Sequence, residues 1–128
     1  MNIALFTQLE RISLAVAEQW GSAPGIALHG RTARSAGLGL DEVAKARDFD
    51  SGDPKEAALL RYLKATVDSH GPLPAYLHEE AREAGWTDEQ LLEAIAFASL
   101  EVFTAMVNIA GDVPVDGSVE DSRTLRAA

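Results

Sequence analysis

The chain has 128 residues, 47% of them hydrophobic, and its 11 basic and 20 acidic side chains leave a formal charge of −9. That length and apolar content fit one domain with a real core, while the acidity argues against nucleic-acid and anionic-membrane partners, which need a basic footprint. Cysteine is absent, so disulfides, thiolate chemistry and cysteine-bound zinc or iron–sulfur clusters are excluded.

The pattern is helical nearly throughout. Leu5, Leu9, Ile12, Val16 and Trp20 recur at steps of three and four, one face of a first helix, and Gly21 follows as its stop. Ser22 is placed to cap a second helix, with Pro24 tolerated in its first turn and an end near Gly37. A short helix covers Asp41 to Arg47. In "DFDSGDPKE", Asp53, Pro54 and Glu56 stand as N-cap, first turn and capping-box partner of a helix that runs to about His70. "HGPLP" breaks it, and a further helix covers Ala75 to Ala84.

"GWTDEQL" opens the last helix, Asp88 to about Ala110. Thr87 and Gln90 form a capping box, and Trp86 and Leu91 a hydrophobic staple. Beyond Glu93 only Ser99, Glu101, Thr104 and Asn108 interrupt its apolar run. Such a run has the length of a membrane span, but Glu101 and the capped start favour a helix buried on every side, which in a small chain implies neighbours from another subunit. The stretch from residue 113 to 128 is polar and aperiodic, a tail beyond a domain of residues 1–112. An N-terminus with no basic lead-in and no cleavable apolar run reads as cytoplasmic. Ala33–Val43 aligns without gaps on Ala81–Leu91, the mark of a repeated helical hairpin.

Few residues offer chemistry. Ser22, Gly25, Ile26 and His29 share one helix face. Glu10 lies on the preceding helix, at the polar edge of its apolar stripe. If the two helices fold back at Gly21, Glu10 and His29 lie about 16 and 12 Å from the turn and can meet. A carboxylate–imidazole pair in a semi-apolar pocket is a proton relay, or else a buried histidine whose ring is satisfied for structural reasons. His70 suits a helix C-terminus, and His78, beside Glu79 and Glu80, suits a solvated charged face. No H-E-x-x-H, no paired-carboxylate metal repeat and no phosphate-cradling glycine loop occurs, so no metal or cofactor is expected. "GLGLDE" follows no strand and is not a dinucleotide fingerprint.

Taken in order, these pieces resemble the carboxymuconolactone decarboxylase / alkylhydroperoxidase D-like family from about Glu10 to Pro114. The matching stretches are Glu10–Val16, Gly21, His29, Ala36–Leu38, Pro54–Tyr62, Ala84–Glu89 and Phe103–Asn108. The family's C-x-x-C-x-x-x-H centre falls on Ser22, Gly25 and His29, and its glutamate, twelve positions earlier, falls on Glu10. The resemblance implies an all-α bundle of about six helices with an internal helical-hairpin repeat. It also implies a homotrimer or homohexamer.

The departure decides the chemistry. In redox members the resemblance implies a cysteine pair that reduces peroxide while glutamate and histidine relay protons. Serine and glycine cannot pass through a sulfenic acid or a disulfide. Thiol peroxidase activity is therefore out of reach. Two readings stand. In one, a non-redox enzyme of decarboxylase type acts on a small-molecule substrate such as a lactone acid. Glu10 and His29 would serve as base and acid, Ser22 would hydrogen-bond the substrate, and Arg11, Arg31 and Arg34 would be the only nearby cations for an anion. In the other, the chain is a catalytically retired oligomeric binding or structural protein.

Overall fold

The computed structural model describes residues 3–115, and within them the chain is all-helical. Six helices follow in order: α1 (Ile3–Trp20), α2 (Ala23–Ser35), α3 (Leu40–Arg47), α4 (Pro54–Asp68), α5 (Ala75–Glu83) and α6 (Asp88–Ala110). Each agrees with its sequence expectation to within two residues at either end. Of the expected tail, residues 116–128 lie outside the described residues.

Local chemistry sets the boundaries. Gly21, at φ +66°, turns the chain out of α1, and Ser22 caps α2 by accepting from the Gly25 N–H. At α6 the Thr87–Gln90 capping box closes in both directions, with Thr87 N–H donating to Gln90 at 3.0 Å and Gln90 N–H to Thr87 at 3.1 Å. Trp86 and Leu91 are both buried in one core cluster, as a staple requires. Trp86 is further fixed by its Nε1–H, which donates to the Lys55 carbonyl at 2.7 Å.

The capping box expected at α4 does not form. Asp53 does cap, accepting from Lys55 N–H at 2.9 Å, but its own N–H donates to Ser51 Oγ rather than to Glu56. Glu42 holds that loop, accepting from Ser51 Oγ and Gly52 N–H, each at 2.7 Å. Released from capping, Glu56 turns inward, where its Oε2 is buried without a hydrogen-bond partner and burial raises its pKa.

The two stretches that align in sequence also turn alike. Leu38 N–H donates to the Ala33 carbonyl and Trp86 N–H to that of Ala81, both at 3.0 Å. Gly37 and Gly85 take the left-handed backbone at φ +106° and +108°. Ala33 and Ala81 are buried at equivalent points, as are Leu38 and Trp86.

The centre of the molecule is α1. Every residue from Arg11 to Ala17 is buried, and two apolar clusters lie against it. The larger joins Ile12, Ala15 and Val16 to Leu59, Leu60 and Leu63 of α4 and to Leu91, Ala94 and Ala98 of α6. The smaller joins Leu14 to Ala33, Leu38 and Ala46 of α2, its turn and α3. By contrast, α6 is not buried on every side within one chain. Leu91, Ala94, Ala98 and Ala105 are buried, but Leu92, Leu100, Phe103 and Val107 form an exposed stripe on the far side, Phe103 at 65% exposure. The other helices are all shorter, and α6 packs mainly on α1, α4 and α2, which do not surround its 23 residues. By length and composition α6 could cross a membrane.

His78 is not a freely solvated residue. It is half-buried, its ring edge-on to Tyr62 with centroids 5.0 Å apart. His70 falls beyond the end of α4 and is exposed.

Candidate functional site

The fold-back at Gly21 brings α2 alongside α1, so that Glu10 and His29, nineteen residues apart, meet. His29 Nδ1 lies 3.0 Å from Glu10 Oε2, and Thr32 Oγ1 donates to the same oxygen at 2.7 Å. The opposite ring nitrogen, Nε2, faces Glu101 of α6, with 3.5 Å between it and Oε2. The imidazole therefore sits between two carboxylates, with 17% of its side chain exposed. Burial on its own lowers the His29 pKa. The hydrogen bonds to Glu10 and Glu101, and then their charges, outweigh it and raise the value to about 9. At neutral pH His29 is an imidazolium, and both nitrogens donate.

Beside this triad is a cavity of about 250 Å³, open to solvent, between the start of α2 and the second half of α6. Ser22, Gly25 and His29 line one side, Glu101, Thr104 and Asn108 the other. The polar residues of α6 sit at i, i+3 and i+7 and so share one face. Ser22 is almost wholly buried, and its Oγ accepts from Gly25 N–H at 3.3 Å and from Asn108 Nδ2 at 3.4 Å. Ile26, expected on the same face, does not line the cavity. A side chain at position 25 would be crowded, since a Cβ there would lie 3.0 Å from Ser22 Oγ and 3.1 Å from Ala17 Cβ.

Two sequence expectations change. Glu10 does not line the cavity. It stands behind His29, where it holds Nδ1–H and orients the ring, and the carboxylate that faces the cavity is Glu101. The three arginines expected near an anionic substrate do not line it either. Arg11 is drawn to the other side of α1, where its Nη2 is 3.5 Å from Glu42. Glu101 was visible in the sequence only as an interruption of an apolar run, and Thr104 and Asn108 as interruptions within a family-like stretch, though the common helix face of the three was a usable signal. Thr32, one turn beyond His29, carried none. Among the described residues no group of three or more His, Asp or Glu side chains is arranged to hold a metal ion.

Comparison with protein-family models, curated proteins and solved structures finds no match to this chain.

Proposed function

We propose that the chain is a cysteine-free member of the carboxymuconolactone decarboxylase / alkylhydroperoxidase D-like family and a non-redox acid–base enzyme acting on a small molecule. The observation that carries this reading is the imidazole of His29, held by Glu10 on one nitrogen and met by Glu101 on the other, at the wall of an open cavity. Glu10 fixes the ring and stabilises its charge. Proton transfer to substrate leaves from Nε2, where the 3.5 Å contact to Glu101 is long enough to open for a ligand atom. Glu101 is the carboxylate placed to take a proton in return, and Ser22 supplies a hydroxyl to the same cavity.

The family assignment draws support from the pairing of positions 22 and 25. A Cβ built on Gly25 lies 3.5 Å from that of Ser22, a separation that suits a disulfide. The retired-protein reading has one point in its favour, that both imidazole nitrogens already face a carboxylate.

Activity measurements separate these. His29→Ala is expected to lower any lactone-decarboxylating or related proton-transfer turnover by about 10²–10⁴-fold. Undiminished turnover removes His29 from its role. With a dithiol donor the natural chain should consume peroxide no faster than buffer, whereas Ser22→Cys/Gly25→Cys should gain that activity at the helix N-terminus. Peroxide turnover by the natural chain overturns the non-redox assignment, and no gain in the double variant counts against the family.

A further inference from the structure

The electrostatics of the cavity restrict what it can hold. Glu10 and Glu101 contribute two negative charges and His29 at most one positive, so the triad is net negative whether or not the ring is protonated. Among the described residues no lysine or arginine lines the cavity. The groups facing it from α6 are rich in acceptors. Glu101 is a carboxylate with one oxygen turned to His29, and Thr104 spends its hydroxyl proton on the Leu100 carbonyl at 3.0 Å, which leaves its lone pairs. Leu28, Pro24 and Val113 add an apolar wall for a hydrocarbon portion. A carboxylate ligand would meet Glu101 across a short distance, and the cation at the cavity wall, the His29 imidazolium, is already shared between Glu10 and Glu101, whereas an ammonium brings donors that match these acceptors.

We propose that this cavity takes a small organic cation, a primary ammonium joined to a short apolar group, and rejects carboxylates, with Glu101 as the residue that sets the preference. The inference rests on the reading of the His29 cavity as the substrate site. It narrows that reading, since a lactone acid in its ionised form is a poor fit.

The test is binding, read by calorimetry and by the His29 ring signals in NMR at pH 7 and low salt, with benzylammonium, benzyl alcohol and benzoate as probes. Benzylammonium is expected to bind and shift the His29 signals, and benzoate to bind at least about tenfold more weakly. Glu101→Gln should weaken benzylammonium by about tenfold and leave benzyl alcohol unchanged. Thr104→Lys, at an exposed position, should reverse the order of the two ions. Benzoate binding as tightly as benzylammonium, an unaltered order in Thr104→Lys, or full ammonium affinity in Glu101→Gln each overturns the proposal. None of these outcomes depends on turnover. A His29→Ala enzyme with full activity would therefore sink the proposed catalytic role while leaving the charge preference to stand or fall separately.

Discussion

At the scale of the residue, His29 is the point on which pH acts. Its pKa in the folded chain, about 9, lies above the ordinary value of 6.5. The native state therefore binds this proton more tightly than the unfolded chain does. The resulting stability is fully present below pH 6.5 and is lost as pH rises through 9. Allowing for solvent screening at a partly exposed ring, it amounts to about 2 kcal/mol. Urea unfolding of the natural chain and of His29→Gln, each at pH 6 and at pH 9.5, should show a stability gap that closes at the higher pH. A gap that is constant with pH would mean that the ring is not charged between its carboxylates. The pairing of Glu10 with His29 was legible because both lie on helices joined by a single glycine turn, so their heights follow from the helix rise. The contribution of Glu101 was not, because it arrives from a helix 72 residues further on.

At the scale of the element, the informative comparison is between the turns at Gly37 and Gly85. Both glycines occupy the left-handed region, where a side chain is strained whatever the space around it. Nothing lies within 4 Å of a Cβ added at Gly37, and at Gly85 the nearest atom is Cε of the flexible Lys55 at 3.5 Å. Gly37→Ala and Gly85→Ala should therefore each cost about 1–2 kcal/mol, almost entirely from the backbone. Equal losses in urea unfolding would support the equivalence of the two turns, and a loss at only one would break it. Capping chemistry was legible at α6 and misread at α4. Asp-Pro-x-Glu does match a capping box by type, but Ser51 reaches the Asp53 N–H first, and that competition depends on a loop anchored by Glu42 from another helix.

At the scale of the whole molecule, the exposed stripe of Leu92, Leu100, Phe103 and Val107 is the feature a single chain leaves unsatisfied. The homotrimer or homohexamer that the family resemblance implies would cover it with further copies. A membrane would cover it too, but Glu101, Thr104 and Asn108 in the same half of α6 line a polar cavity, an expensive arrangement within a bilayer. Size-exclusion chromatography with light scattering should return a multiple of the chain mass. Phe103→Glu, which sets a charge in the centre of the stripe, should shift it towards monomer. A clean monomer for the natural chain would contradict the proposed assembly.

Periodicity, caps and glycine stops act over a few residues, so the sequence by itself determined six helices, their ends and the fold-back that joins Glu10 to His29. It did not show which helix a single chain encloses. The helix with the longest apolar run was expected to be enclosed with neighbours from another subunit, and within one chain the enclosed stretch is Arg11 to Ala17 of α1, where small residues admit close neighbours and two polar ones keep a contact. Ser13 Oγ donates to the Leu9 carbonyl at 3.0 Å, and Arg11 pairs with Glu42. Burial depends on how many helices surround an element, and composition does not report that number. For the same reason only the tertiary structure decided which carboxylate faces the cavity, since two residues become neighbours across a bundle through packing that no local pattern encodes.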